Sequence, residues 1–130
     1  MQDRLEDAMN RALSASDLHL VLWACSRLDP LAVPPRLSQH ILICLCQQLG
    51  ASDLSRDSAL KLQWLQHCSL SLDPTDPMIR QHLPTVLRQI RVALEAATPR
   101  VTTPADAQAL RVLAHVVNSL SVTAAAGASS

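Results

Sequence analysis

Residues 72–83 read LDPTDPMIRQHL, a stretch with two Asp-Pro steps followed by a run of helical periodicity. A residue before proline avoids the helical region, so Asp73-Pro74 predicts the end of the preceding helix. Asp76 can then cap a new helix in which Pro77 takes the first position, an arrangement that helices favour. The stretch therefore predicts a helix end followed at once by a helix start.

A second Leu-Asp-Pro, at residues 28–30, lies 44 residues upstream of the one at 72–74. Each closes an apolar run of helical character, LHLVLWACSRL from residue 18 and ALKLQWLQHCSLSL from residue 59. A period of roughly 40–47 residues is that of HEAT and armadillo helix pairs. Asp-Pro is also common after unrelated helices, so two interpretations remain open: repeated units, or simple helix ends.

The composition favours an all-α fold. Among 130 residues there are only two glycines and no Tyr or Phe, while Leu and Ala dominate, which argues against a β-sandwich. Periodicity and capping signals predict about six helices. Their boundaries are residues 5–13, Ser16 or Asp17 to Leu28, Ser38 to Gly50, Asp57 or Ser58 to Leu72, Asp76 toward Ala97, and about 105–121.

Two prolines and a glycine refine these boundaries. Pro84 should kink or split the fifth helix near Leu83, because proline removes a helical hydrogen bond and clashes with the preceding turn. Gly50 is interpreted as a C-terminal stop. We therefore predict a single domain over residues 1–122, made of stacked antiparallel helix pairs in the HEAT or armadillo manner, and a disordered tail at 123–130.

The residue types that carry chemistry form no recognisable constellation. Cys44 and Cys46 lie about 200° apart on a helix, so their thiols cannot chelate one ion. His67 and Cys68 point about 100° apart, and no acid is placed to orient the imidazole. No Gly-rich phosphate loop or nucleophile elbow occurs. We predict no enzyme activity, no cofactor and no metal site, with the cysteines as free core thiols.

The charges exclude some partners and permit others. The formal net charge is zero, but residues 1–76 carry net −3 and residues 77–130 net +3. This weak asymmetry does not predict direct nucleic-acid binding, and it permits an anionic protein partner for the C-terminal half. No apolar stretch approaches a membrane span. With no signal peptide before the first helix, we expect an intracellular location.

The only aromatic residues are Trp23 and Trp64, which lie in the two helices that end at Leu-Asp-Pro. The ordinary interpretation is that both anchor the core. An exposed tryptophan would instead be a candidate contact for a partner, because buried interface hot spots are enriched in this residue.

The fifth helix carries a segregated basic stripe. At about 100° per residue, Arg88 and Arg91 fall within about 80° of Arg80 if the helix is continuous. The neighbouring side of the helix, between about 240° and 340°, is apolar and consists of Ile79, Leu83, Val86, Leu87, Ile90 and Leu94. One interpretation is a solvated charged face; the other is a docking stripe, because guanidinium groups bind carboxylates or phosphates in a bidentate manner.

We take the docking stripe as the working hypothesis. Its candidate partner-binding residues are Arg80, His82, Arg88 and Arg91, and the secondary candidates are Lys61 and Gln89. Arg100 and Arg111 could extend it.

Three long segments resemble a known family: LEDAMNRALSASDLHLVLWACSRLDP, LSQHILICLCQQL and KLQWLQHCSLSLDPTDPMIRQHLPTVLRQIRVAL. They are similar to the C-terminal domain of the enhancer-of-mRNA-decapping scaffolds, known as Hedls in vertebrates and related to plant varicose. The resemblance covers about residues 3–95 and weakens after Ala96.

The resemblance implies a non-catalytic α-helical module of a scaffold that promotes mRNA decapping. It implies partners among the decapping enzyme and its activators, and localisation to cytoplasmic processing bodies. Two alternatives of other classes are retained. One is an RNA-binding helical domain, and the other is a homo-oligomerising module that pairs through an apolar face of its first or sixth helix.

Overall fold

The computed structural model describes the backbone of residues 2–15 and 17–129, and the side chains of residues 7–15 and 17–124. The described chain forms seven α-helices and two short 3₁₀ turns, Pro34–Arg36 and Thr98–Arg100. The helices are α1 Gln2–Ser14, α2 Leu18–Arg27, α3 Gln39–Gly50, α4 Ser58–Ser71, α5 Pro77–Arg80, α6 Leu83–Ala97 and α7 Pro104–Ser129.

The helices pack as three consecutive pairs that stack on one another. The pairs are α1 with α2, α3 with α4, and α6 with α7. The first pair stacks on the second through α1–α3 and α2–α4 contacts, and the second on the third through α3–α6 and α4–α7 contacts. The result is two layers, α1-α3-α6 and α2-α4-α7. The predicted all-α stack of helix pairs is therefore confirmed.

The two Leu-Asp-Pro segments occupy equivalent places in this stack. Each follows the second helix of a pair, α2 or α4. Their local geometry also matches, because Asp29 Oδ1 accepts a hydrogen bond from the Leu31 N–H at 2.9 Å and Asp73 Oδ1 accepts one from the Thr75 N–H at 3.0 Å. Such Asx turns redirect the chain after a helix. Of the two open interpretations, the structure favours repeated units in which Asp-Pro marks the end of the second helix.

Most of the predicted helix starts are capped as expected. The side chains of Asp17, Ser38 and Asp76 accept hydrogen bonds from the N–H groups of His19, Ile41 and Met78. The alternative cap for α2, Ser16, lies outside the described residues. Asp57 precedes α4 but adopts a left-handed conformation, with φ of 51°, and its side chain makes no capping hydrogen bond.

The predicted fifth helix is two helices. The chain leaves the helical path at Gln81 and His82, and Pro84 takes an early position in the new helix α6. Proline is tolerated there because the first N–H groups of a helix have no intrahelical partner. The expected split at Pro84 is thus observed, and it places Arg80 on a different element from Arg88 and Arg91.

Two boundaries differ from prediction. Gly50 is the last residue of α3 and has no positive φ. A Cβ atom there would lie 2.7 Å from Ile90 Cγ1, so glycine permits the close approach of α3 to α6 and does not serve as a left-handed stop. The end of α7 also differs, because this helix extends past residue 121 to Ser129, consistent with the high helix propensity of its alanines.

Side chains of the middle pair satisfy backbone groups at the ends of other helices. Gln48 Nε2 donates to the Leu13 carbonyl of α1 at 2.9 Å, and Trp64 Nε1 donates to the Cys25 carbonyl of α2 at 3.1 Å. Gln39 accepts from the Asp73 N–H and donates to the Ser71 carbonyl at the end of α4. These long-range bonds fix the ends of α1, α2 and α4 to the stack.

The two tryptophans have opposite environments. Trp64 is fully buried at the centre of the stack, whereas 58% of the Trp23 side chain is exposed on the outer side of α2. Core anchoring is therefore correct for Trp64 and wrong for Trp23. The Arg27 guanidinium lies 5.5 Å from the centroid of the Trp23 ring, within the range of a cation–π contact.

The difference predicts unequal effects on stability. Trp64→Ala should lower the free energy of unfolding by about 3–5 kcal/mol, because it leaves a cavity and removes one of the two hydrogen bonds that the Cys25 carbonyl accepts, the other coming from the Leu28 N–H. Trp23→Ala, the matched control, should cost at most about 1 kcal/mol. Urea unfolding followed by far-ultraviolet circular dichroism measures both without relying on indole fluorescence. Equal costs would contradict the described packing.

Candidate protein-interaction surface

Helix α6 presents its arginines along its outer side. Leu83, Val86, Leu87, Ile90 and Leu94 face the core, which leaves Arg88, Gln89 and Arg91 exposed. Arg80 is the exposed last residue of α5, and His82 is exposed in the turn before α6. The structure therefore brings Arg88, Gln89 and Arg91 onto one helix, with Arg80 and His82 on the segment that leads into it.

Arg91 is held by neutral side chains of α7. Its Nη2 atom donates to Ser121 Oγ at 3.1 Å and lies 3.5 Å from Asn118 Oδ1. Among the residues with described side chains, the ion pairs join Asp53 to Arg56 and to Arg100, so no carboxylate lies within ion-pair distance of Arg88 or Arg91. Hydrogen bonds to neutral acceptors orient a guanidinium without neutralising its charge.

Two clefts flank α6. A groove of about 380 Å³ lies between α6 and α7, with Arg91 on one side and Arg111 on the other. A second cleft, of about 400 Å³, lies between α6 and the end of α3, where Arg88 and Gln89 face Gly50 and its neighbours. The predicted stripe is therefore a ridge between two clefts. Arg91 borders the groove with α7, and Arg88 borders the cleft with α3.

Lys61 lies elsewhere and is enclosed. It is 3% exposed in α4, and its Nζ atom donates to the Asp53 carbonyl at 2.7 Å. Burial lowers the pKa of this ammonium group. Its role is to fasten the loop between α3 and α4, so Lys61 is not carried forward as a partner contact. The enclosure of Lys61 could not be predicted from its helix, because α4 has no distinct polar face.

Asp53 ties the same loop to the end of α6. Its carboxylate accepts from the Ser55 hydroxyl and N–H and from Arg100 Nη1, the last at 3.2 Å. The Ser55 hydrogen bonds, followed by the charges of Arg100 and Lys61, lower the pKa of Asp53. Arg100 thus has an internal partner, whereas Arg111, the other proposed extension, lines the groove.

The side chains that could bind a metal are dispersed among the described residues. No three His, Cys, Asp or Glu side chains in this part of the chain lie close enough to hold a metal ion. Cys46 is buried, whereas Cys44 is partly exposed with its sulfur 4.0 Å from His40 Nε2. No helix of the described chain is long and apolar enough to cross a membrane.

A family model described as the C-terminal part of enhancer of mRNA-decapping protein 4 matches residues 1–113 of the chain. The chain belongs to this family. Mus musculus and Homo sapiens enhancers of mRNA-decapping protein 4 are 44% and 43% identical to it over 97 residues, or 72% of the chain. The Drosophila melanogaster homologue is 34% identical over 94 residues. The resemblance noted from residues 3–95 is confirmed.

The fold of the family supports the same assignment. The crystal structure of the conserved C-terminal region of Ge-1 matches with a TM-score of 0.80 and 26% identity, covering 90% of this chain and 88% of that one. The match to the decapping enhancers covers 7% of the length of each of these relatives. What is shared is therefore the helical C-terminal region of a much larger protein.

Sequence reasoning missed the exposed surface around Trp23. Leu20, in the same helix as Trp23, and Leu31, in the segment that follows it, are 40% and 65% exposed. The helical spacing of Leu20, Trp23 and Arg27 contained a signal, because residues three and four apart share a face. Because the α2 sequence is apolar nearly all round, this spacing did not distinguish an exposed face from a buried one.

The buried thiols give the domain an alkaline limit. Burial raises the pKa of Cys25 and of Cys46 to about 12, from an ordinary value of 9.0, and raises the pKa of Cys68 as well. Above pH 9 the unfolded chain releases protons that the folded chain keeps, so the folded state becomes relatively less stable as pH rises. The contribution of the protonated buried thiols to the free energy of unfolding is complete below pH 9 and is lost between about pH 9 and pH 12.

We therefore predict that the free energy of unfolding, measured in urea with a reductant, falls between neutral pH and pH 10, by on the order of 1 kcal/mol for each of Cys25 and Cys46. Lys61 acts in the opposite direction, so variants should be compared with one another. Cys46→Ala should show a shallower decline, while Cys44→Ala, at a partly exposed position, should change the slope less. Identical slopes in all three proteins would contradict the prediction.

Proposed function

We propose that this chain is a non-catalytic protein-interaction module of an mRNA-decapping scaffold. It recruits the decapping enzyme or its activators and thereby supports localisation to cytoplasmic processing bodies. The observation that carries the proposal is the ridge of α6, where Arg88 and Arg91 are exposed, lack a carboxylate partner among the described side chains, and each border a cleft. Membership of a family named for enhancing decapping supplies the biological context.

The chemistry of the ridge favours a protein over RNA. Single-stranded RNA binding ordinarily combines a basic groove with aromatic side chains on which bases stack. The one exposed aromatic residue of the chain, Trp23, lies on α2 of the first pair, whereas the arginine ridge lies on the third pair. The overall charge is zero, so the chain also lacks a broad phosphate-binding field.

The proposal predicts that Arg88→Glu combined with Arg91→Glu will reduce recovery of the decapping enzyme by about tenfold or more, because each change replaces attraction with repulsion. The assay captures the tagged chain from RNase-treated cytoplasmic extract and detects the decapping enzyme and its activators by immunoblot. Processing-body localisation of the tagged chain provides a second readout.

Arg11→Glu combined with Arg36→Glu is the matched control, because it changes the net charge equally at exposed positions on other elements. Circular dichroism must show that both double variants remain folded. Unchanged recovery with the α6 variant would refute the proposal. Recovery from untreated extract that disappears after RNase treatment would support the RNA-binding alternative. A dimeric mass in solution that the α6 variant abolishes would support self-association.

A further inference from the structure

The groove between α6 and α7 lies at the outer end of the stack. On α7, Val116 and Leu120 face Leu70 of α4, whereas the groove is lined from α7 by Leu110, Ala114 and Val117. The groove is thus on the side of the third pair that points away from the middle pair. No element among the described residues covers it.

The floor of the groove is apolar and its walls are charged. Leu94, Leu110 and Val117 are at most 5% exposed and form the floor, and Ala107 and Ala114 are partly exposed above it. Small side chains at these two positions leave the space open. A groove of about 380 Å³ can accommodate a few apolar side chains of a partner, at the lower end of typical ligand sites.

Arg91 and Arg111 stand on opposite walls, and both are oriented by neutral acceptors. Arg91 donates to Ser121, and Arg111 Nη2 donates to Gln108 Oε1 at 2.8 Å. Glu95 is the one carboxylate that lines the groove, and the described ion pairs do not include it. Two held guanidiniums against one acid give the groove a net positive charge.

We propose that this groove is the docking site for a short acidic segment of a partner protein. The segment places apolar side chains over Ala107 and Ala114 and directs carboxylates to Arg91 and Arg111. The choice of an acidic segment follows from charge complementarity, because pre-oriented guanidiniums bind carboxylates with little further loss of conformational entropy. The inference rests on the proposed function and deepens it, by assigning the contact to one groove and adding Arg111 to the site.

The test is a selection that does not depend on decapping. A phage-displayed library of short random peptides is panned on the purified 130-residue chain, and the selected peptides are titrated into methyl-labelled protein observed by nuclear magnetic resonance. We expect enrichment of peptides that combine Asp or Glu with Leu, Ile or Phe. Their binding should shift the methyl resonances of Ala107, Ala114 and Val117 and should weaken with salt.

Two variants address the two components of the groove. Arg111→Glu should weaken the selected peptides by about tenfold or more, whereas Arg36→Glu, with the same change of charge on another element, should not. Ala114→Leu should also weaken them by filling the groove, whereas Ala96→Leu, in the cleft on the other side of α6, should not. An unchanged methyl spectrum away from the groove confirms that each variant is folded.

Any of four outcomes would overturn the inference: no enrichment, enrichment of basic or uncharged peptides, methyl shifts elsewhere, or binding unaffected by Arg111→Glu and Ala114→Leu. Shifts of the groove methyls with protein concentration alone would identify a second copy as the occupant and would also overturn it. Groove binding without recruitment of the decapping enzyme would remove the proposed function only. Recruitment without groove binding would remove only this inference.

Discussion

The structure depends on the burial of the middle helix pair from both sides. Helices α3 and α4 contact the first pair on one side and the third on the other. Their buried residues therefore spread around each helix and do not form a single stripe. A helix that is apolar all round must be enclosed, because it has no face that water can solvate at low cost. This constraint explains why Cys46, Cys68 and Trp64 of the middle pair are fully buried.

Enclosure also requires hydrogen-bond partners for the polar groups at the helix ends, and side chains of the middle pair supply them. Helix ends leave carbonyl groups without intrahelical partners, and in a stack these ends lie against neighbouring helices. Gln48 and Gln39 supply donors to such carbonyls from the middle pair, and Trp64 adds a second donor to the Cys25 carbonyl, which also accepts from the Leu28 N–H. In the part of the chain with described side chains, no buried side-chain nitrogen or oxygen atom lacks a hydrogen-bond partner. The same residues thus provide both the packing and the polar contacts that set how the pairs align.

Much of this architecture could be predicted from the sequence, because local signals determined it. The caps at Asp17, Ser38 and Asp76 and the break at Pro84 follow from backbone chemistry within a few residues. What could not be predicted depends on contacts over long separations. The exposure of Trp23, the enclosure of Lys61 and the close approach at Gly50 are each decided by which helix packs beside the residue, and helical periodicity carries no such information.

The candidate site divides in the same way. Periodicity on α6 correctly predicts that Arg88 and Arg91 are exposed, since it needs only the core-facing side of one helix. It could not predict that Arg91 borders a groove with α7 whereas Arg88 borders a cleft with α3, or that Arg111 faces Arg91 across that groove while Arg100 pairs with Asp53.

A stack of helix pairs has two outer ends. At the outer end formed by the third pair lies a groove with a buried apolar floor. The long arginine side chains on its walls are held by neutral neighbours. An internal carboxylate would neutralise such a guanidinium and reduce its attraction for a partner. Ser121, Asn118 and Gln108 orient the charge and leave it available. The physical consequence of these neutral neighbours is that two oriented positive charges remain at the surface that we propose as the partner-binding site.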